Sequence, residues 1–144
     1  MAKTYRLTPG TRLVNVVFRT LTRLGMGASY RHILTVPGRK TGRLYSTPVD
    51  VIELEGQRWL VAGYGPASWV TNARAAGEVT LSRGRRSDRF KVEEVAPEAA
   101  VPVLRRYIDE IRVTRAYFDA NPASADEEIA AELPKHPVFR LGPH

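Results

Sequence analysis

The sequence predicts a mainly β domain with flanking helices, an α+β fold in which short antiparallel strands form a barrel or a sandwich. From residue 33 onward, short apolar runs with strand periodicity are joined by glycine-containing turns, at residues 38–42 and at Glu55-Gly56. Amphipathic helical patterns precede and follow these runs. With 144 residues, 43% hydrophobic and 26% charged, the chain is expected to form a single domain over residues 1–144.

The predicted strands cover residues 33–36, 44–54, 58–64, 79–82 and 89–95. The segment HPVFRLG near the C-terminus is expected to return as an edge strand. Between the third and fourth strands, SWVTNARAAG predicts a helix with Ser68 as its N-cap and Gly77 past its end. The spacing of Trp69, Asn72 and Ala76 places these three residues on one face of that helix.

An amphipathic helix is predicted before the strands, over residues 11–24. One face is apolar, and the other carries Arg12, Asn15, Arg19 and Arg23. The helix either covers the open end of a sheet, which is the simpler interpretation, or rests on anionic lipid.

A C-terminal helical segment is predicted over residues 97–133. Pro97 suits a first helical position, and Pro102 is expected to delay or bend the start of the helix. Ser124 and Glu127 match the S-x-x-E capping box of a short acidic helix, which Pro134 would end.

Composition and charge limit the classes of function. Lys and Arg number 22 against 15 Asp and Glu, and the net charge of +7 favours anionic partners such as nucleic acid, an anionic membrane or a phosphorylated small molecule. The sequence has no cysteine, and His32, His136 and His144 are too scattered for a metal site, so no metal is expected. Neither a signal peptide nor a membrane-spanning run is recognisable, which predicts a cytoplasmic protein whose membrane association through residues 11–24 stays open.

The turn GRKTG, residues 38–42, is the first candidate binding site. Backbone N–H groups in a glycine-containing turn can face an anion, while Lys40 supplies a point charge and an arginine a bidentate fork for phosphate oxygens. Taken alone, the turn is explained slightly better as a solvated basic surface, and its spacing does not match a P-loop.

The second candidate is the glycine-containing strand end GYGP, residues 63–66, followed by the helix start at Ser68. Glycines let a ligand approach the backbone, and the free N–H groups of a helix start attract an anion. Trp69 is also compatible with a core position, and Asn72 with a bridge to backbone groups.

Other chemistry has little support in the sequence. The arginines around Gly84 predict a hairpin tip without an aromatic stacking platform, so nucleic-acid binding is not expected. No G-x-S-x-G elbow, paired-carboxylate motif or H-E-x-x-H motif is present. An enzyme with this sequence is expected to take its reactive group from a cofactor.

The series ILTVPGRKTGRLYSTPV, RWLVAGYG and SWVTNARAAGEVTL resembles the deazaflavin-dependent nitroreductase family of actinobacteria, whose members bind coenzyme F-420. The similarity spans residues 33–95, and the final HPVFRL is similar to the last strand of the family. Its specificity lies in the order and spacing of G-R-K-[ST]-G, the T-P dipeptide after it, and W-x-x-N before an alanine-rich helix end.

The resemblance implies a split β-barrel of the FMN-binding, pyridoxamine-phosphate-oxidase-like kind. It also implies an oxidoreductase that transfers hydride between coenzyme F-420, an 8-hydroxy-5-deazaflavin, and a hydrophobic quinone, enone or nitro compound. The phosphodiester and oligoglutamate tail of this cofactor agree with the positive charge of the chain. The implied partners are the anionic cofactor, with FMN as the alternative, and a small hydrophobic acceptor, bound by a homodimer.

The resemblance also implies the cofactor-binding positions. The turn would hold the phosphate and the tail through Gly38, Arg39, Lys40, Thr41 and Gly42. The next strand would lead to the ring at Thr47 and Pro48. The ring would meet the backbone of Ala62 and Gly63 and, on the helix side of the pocket, Trp69 and Asn72.

The sequence departs from the family pattern at two places. Tyr45 stands where many members have an arginine, a charge that Arg43 could replace, and Gly63-Tyr64 stands where they have a serine–lysine pair. Tyr64 is therefore a candidate ring-stacking or proton-donating residue.

Tyr107 and Tyr117, on the C-terminal helical segment, are further candidates for the acceptor pocket or equally for the core. Two rival functions remain from the sequence: a non-catalytic carrier of a fatty acid or other apolar anion, and an FMN- or haem-binding barrel.

Overall fold

The structure, a computed structural model, describes residues 31–65 and 67–144. The predicted helix over residues 11–24 lies outside the described residues.

Antiparallel strands form a closed barrel in the described part of the chain. They are β1 (Arg31–Pro37), β2 (Leu44–Leu54), β3 (Gln57–Val61), β4 (Glu78–Arg83), β5 (Arg86–Glu94) and β6 (Val138–Pro143). The order around the barrel is β1-β2-β3-β6-β5-β4, and β1 closes it by pairing with β4. The predicted antiparallel barrel is therefore confirmed.

The last strand is not an edge strand, and this part of the prediction is wrong. β6 pairs with β3 through Leu60 and Phe139 and with β5 through Val92 and Leu141. The barrel closes only if a strand lies between β3 and β5. The sequence does not reveal this, because the alternating pattern of VFRL is the same for a strand paired on one edge and for a strand paired on both.

The barrel separates two apolar clusters. Alternate residues of the strands, such as Leu34, Leu60 and Phe139, fill the interior together with Val70 and Ala73 of helix α1 (Ser68–Ala76). The opposite faces of β2, β3 and β6 are covered by helix α2 (Pro97–Glu110), by Ile111 and Phe118, which flank the 3-10 helix Arg112–Tyr117, and by Ile129. The interior is thus filled by side chains, and ligand sites are left to its rim and surface.

The helix ends differ in detail from their prediction. Ala67, not Ser68, is the N-cap of α1, whereas Gly77 ends the helix in the left-handed region with φ 74°, as predicted. Helix α2 starts at Pro97 without delay and continues through Pro102, whose ring is exposed.

The predicted capping box is wrong. Helix α3 spans only Asp126–Ala130 and has Ala125 as its N-cap without a side-chain hydrogen bond. The Ser124 hydroxyl oxygen instead accepts the Asn121 N–H at 2.9 Å, within the preceding turn. The Ser124 oxygen is therefore bonded within this turn and does not cap α3.

Gly63 provides space for the buried ring of Tyr107. A Cβ built on Gly63 would lie 1.9 Å from the Tyr107 Oη and 2.7 Å from its Cζ. Tyr107 is 2% exposed and belongs to the outer cluster, so the ring cannot move aside without opening the core.

We expect Gly63→Ala to lower the free energy of unfolding by about 1–3 kcal/mol, because the added methyl group overpacks a closed core. Tyr107→Phe in the same chain should recover part of the loss, since it removes the nearest atom. Gly142→Ala is the matched control, because a Cβ there meets no atom within 4 Å. Denaturant titration measures all four chains, and equal losses in Gly63→Ala and Gly142→Ala would contradict the assignment.

Candidate functional site

The turn between β1 and β2 is closed by its own backbone. The Gly38 N–H donates to the Arg43 carbonyl at 2.7 Å, and the Gly42 N–H donates to the Gly38 carbonyl at 2.9 Å. Gly42 has φ 75°, a conformation in which a side chain would be strained. The turn therefore holds its basic residues in a tight and defined loop.

Three cations of this turn have no acidic partner in the part of the chain that the structure describes. Arg39, Lys40 and Arg43 are exposed, and none of them takes part in the ion pairs found among residues 31–65 and 67–144. Other arginines of the barrel surface are paired, such as Arg89 with Glu78 at 2.6 Å and Arg140 with Glu93 at 2.6 Å. The positive charge of the turn is thus available to an anion.

Asn72 connects the turn to helix α1. Its Oδ1 accepts the backbone N–H of Arg39 at 3.1 Å and the Arg39 Nη1 at 3.0 Å. Asn72 is 4% exposed, so its oxygen is satisfied by protein donors and the helix is fixed against the turn.

The start of α1 adds a second source of positive potential. Ala67 provides no side-chain cap, and no acidic residue lies in the first turn. Since the first N–H groups of a helix have no partner within the helix, those of Ser68 and Trp69 are available to an anion and carry the positive end of the helix dipole.

A cavity of about 460 Å³ lies between the turn, β2 and the start of α1. This volume is in the range of about 300–1,000 Å³ that small-molecule sites occupy. The lining residues are Val36, Arg39, Lys40, Thr41, Tyr45, Ser46, Thr47, Ala67, Ser68, Trp69 and Asn72. We call this cavity the turn–helix cavity.

Two aromatic side chains border the turn–helix cavity. Trp69 is half-buried, with its ring centroid 5.8 Å from that of Phe139, so it contacts both core and cavity. Tyr45 is 50% exposed and lies over Gly38, where a Cβ would be 2.7 Å from the Tyr45 Cε2. The cavity therefore combines cations and free N–H groups with flat apolar walls.

The structure gathers part of the predicted cofactor-binding set in this cavity. The residues that line it are Arg39, Lys40, Thr41, Thr47, Trp69 and Asn72. Gly38, Gly42 and Arg43 shape the turn without lining the cavity, and Pro48 lies on β2 opposite Ile33. Sequence reasoning missed Tyr45 as a lining residue, although strand alternation places it on the same face as Thr47.

Ala62, Gly63 and Tyr64 lie outside the lining of the turn–helix cavity. β3 ends at Val61, earlier than predicted. The Ala62 N–H still donates to the Pro137 carbonyl at 3.0 Å, and the chain then turns, with the Gly65 N–H donating to the Ala62 carbonyl at 3.1 Å. The Ala62 carbonyl accepts the His136 ring Nδ1 at 2.8 Å, and Ala62 is 1% exposed. Both the N–H and the carbonyl of Ala62 are therefore used in hydrogen bonds within the protein.

The candidate tyrosines form a second group, which we call the tyrosine cluster: Tyr64, Tyr107 and Tyr117. The rings of Tyr64 and Tyr117 meet edge to face, with centroids 5.2 Å apart, and both are half-buried. Burial raises the pKa of Tyr107, and the nearby Asp50 carboxylate raises it further, against a hydrogen bond to Thr114 that lowers it. Tyr107 is thus a neutral phenol at physiological pH.

The described part of the chain shows no grouping of His, Cys, Asp or Glu side chains that could hold a metal ion. Among the same residues, no helix is long and apolar enough to cross a membrane.

Comparisons of the fold agree with a split barrel. A structure described as a domain-swapped dimer is 16% identical, over 90% of this chain and 94% of that chain, with a TM-score of 0.56. A structure of an F420-H₂-dependent reductase (FDR-A) is 18% identical, over 78% and 93% of the two chains, with a TM-score of 0.52. A putative pyridoxamine 5′-phosphate oxidase from Listeria innocua is 9% identical, over 80% and 84%, with a TM-score of 0.52.

At these identities the solved structures show the fold alone, and they confirm the predicted split β-barrel of the pyridoxamine-phosphate-oxidase kind. No curated protein matches the chain. The family model described as F420H₂-dependent quinone reductase matches residues 11–133, which is most of the chain. Since that match includes the turn, the start of α1 and the tyrosine cluster, the chain belongs to the F420H₂-dependent quinone reductase family.

Proposed function

We propose that the protein is an F-420-dependent reductase that binds the cofactor through the turn–helix cavity and transfers hydride to a hydrophobic acceptor of the quinone, enone or nitro class. The observation that carries this proposal is a set of unpaired cations beside an uncapped helix start, at the mouth of a cavity with aromatic walls. Membership of the F420H₂-dependent quinone reductase family supports the choice of cofactor.

The donors of the cavity fit the anionic half of coenzyme F-420. Arg39 and Lys40 would bind the phosphodiester and the first carboxylates of the tail, and the N–H groups of Ser68 and Trp69 would share the phosphate charge. Arg43, at the far side of the turn, would meet later carboxylates. A neutral ligand would leave these charges unused.

The apolar walls fit a planar ring, and the protein contributes mainly orientation. When bound, the deazaflavin supplies a ring carbon that gives or accepts a hydride, so no protein nucleophile is needed. Trp69 and Tyr45 would restrict the position of the ring, since both border the cavity. Holding donor and acceptor about 3–3.5 Å apart is the principal task that remains.

Hydride transfer to a quinone leaves an oxygen that requires a proton, and the tyrosine cluster offers donors. Tyr64 and Tyr117 are half-buried and could reach an acceptor, whereas Tyr107 is enclosed. We assign the proton-donating role to Tyr64 or Tyr117 and give Tyr107 a supporting position under Gly63.

Titration with oxidised coenzyme F-420 tests the cofactor. Lys40→Ala should weaken binding about tenfold, and binding should weaken as salt is raised, because the contacts are between exposed charges. Lys91→Ala is the matched control, since Lys91 is an exposed lysine on β5 that does not line the turn–helix cavity.

Each other outcome of this titration is informative. Salt-insensitive binding that Lys40→Ala leaves unchanged would refute the electrostatic part of the proposal, and absence of binding would refute the function. Purified protein that carries FMN or haem by its absorption spectrum, or lipid without deazaflavin binding, would favour the FMN, haem or carrier alternatives.

Tryptophan fluorescence tests where the ring lies. We expect oxidised cofactor to quench Trp69, which borders the cavity, and to leave Trp59, which is 7% exposed and donates to the Leu54 carbonyl, nearly unchanged. In Trp59→Phe the quenching should therefore persist, and in Trp69→Phe it should disappear. Quenching that survives only in Trp69→Phe would place the ring elsewhere.

We also propose that the protein is a homodimer, as in the solved structure described as a domain-swapped dimer. Light scattering at micromolar concentration should give twice the mass of 16.1 kDa, and a monomer mass at all concentrations would remove the proposal.

A further inference from the structure

We infer that Asn72 is a positioning residue, which holds the Arg39 guanidinium at the turn–helix cavity without cancelling its charge. The inference rests on the proposed function, since it concerns the same anionic ligand. In this role Asn72 holds Arg39 and does not itself contact the reacting atoms.

The geometry shows how Arg39 is held. A single oxygen, the Asn72 Oδ1, accepts both the main-chain N–H and the Nη1 of Arg39. Two bonds from one residue to one acceptor fold the long side chain back over its own backbone and remove much of its rotational freedom. Because Asn72 is 4% exposed, this acceptor is fixed in the core rather than in solvent.

The acceptor of the Arg39 side chain is a neutral amide, whereas several other ordered arginines of this protein are held by carboxylates. Arg31 is held by Asp50 at 3.0 Å, Arg74 by Glu94 at 2.7 Å, and Arg105 by Asp126 at 2.5 Å. These carboxylates fix the guanidinium group and neutralise it together. A neutral amide fixes Arg39 and leaves its full positive charge for a ligand.

The position of Asn72 also couples two parts of the cavity. Asn72 lies on α1, whose first residues, Ala67 to Trp69, line the cavity. The hydrogen bonds therefore fix the Arg39 cation relative to the free N–H groups of the helix start. An anion bound between them would meet both at a defined separation, which lowers the entropy cost of binding.

Asn72→Asp separates positioning from charge. The aspartate keeps an acceptor oxygen for both Arg39 donors, so we expect the free energy of unfolding to fall less than in Asn72→Ala, which removes the acceptor, while the cost of burying a carboxylate offsets part of the gain from the ion pair. Affinity for oxidised coenzyme F-420 should fall about tenfold, and its dependence on salt should weaken, because one cation of the cavity is neutralised. Asn121→Asp is the matched control, since Asn121 is exposed and lies outside the cavity lining.

A double-mutant cycle tests whether Asn72 acts through Arg39. Asn72→Ala should lower affinity about fivefold to tenfold and Arg39→Ala about tenfold, while the double variant should bind no worse than Arg39→Ala alone. Additive losses would assign Asn72 a direct contact with the ligand and overturn the inference. So would an Asn72→Asp protein that binds as tightly as the unchanged one.

A second probe distinguishes the inference from the proposed function. Inorganic pyrophosphate, measured by calorimetry, reports the anion site without the deazaflavin ring. Pyrophosphate binding that Asn72→Asp weakens, in a protein that fails to bind coenzyme F-420, would sustain the inference and refute the proposed function. Failure of the unchanged protein to bind either probe would refute both.

Discussion

Closure of the barrel by the pairing of β1 with β4 determines where a ligand can bind. The interior of a six-stranded barrel is too narrow for anything but side chains, and here it is filled by residues such as Leu34, Leu60 and Phe139. Val70 and Ala73 of α1 complete that cluster. The turn–helix cavity consequently lies at the rim, where the hairpin turn and the start of α1 meet, and the specificity of a ligand bound there would depend on a few loop residues.

The electrostatic arrangement of the turn is costly to the fold and useful to a ligand. Three cations in one short turn repel each other, whereas several arginines elsewhere on the barrel are paired, as Arg89 is with Glu78 and Arg140 with Glu93. A protein selected only for stability would place an acid beside the turn. A turn whose cations are unpaired, with Arg39 held by the buried amide of Asn72, is expected where a bound anion supplies the missing negative charge.

The sequence predicts the features that depend on local pattern, and it fails where distant segments decide. Alternation and glycine turns give the strands within a few residues, and Gly77 gives the end of α1, because these signals are contained in neighbouring residues. The sequence predicts an edge position for β6, because nothing in VFRL indicates that the strand pairs on both sides, with β3 and with β5. Ser68 and Ser124 match N-cap signals, but neither caps a helix. Ala67 is the N-cap of α1, and the Ser124 oxygen accepts a backbone N–H within the turn before α3. Within the site, the motif order identifies the turn and the helix. Strand alternation also places Tyr45 on the face of Thr47, but only the packed structure shows that this face borders a cavity with the start of α1.

Gly63 has a structural reason in this chain that differs from the role implied by the resemblance. The resemblance places Gly63 against the cofactor ring, yet the space of its missing side chain is occupied by the Tyr107 hydroxyl. Since Tyr107 is buried and its raised pKa keeps it neutral, a ring that approaches this loop would meet Tyr64 rather than bare backbone. Tyr64 in turn rests against Tyr117, on the segment between α2 and α3. The choice of acceptor would then depend on how these two half-buried rings pack, and Tyr107 would act from beneath by fixing the loop that carries Tyr64.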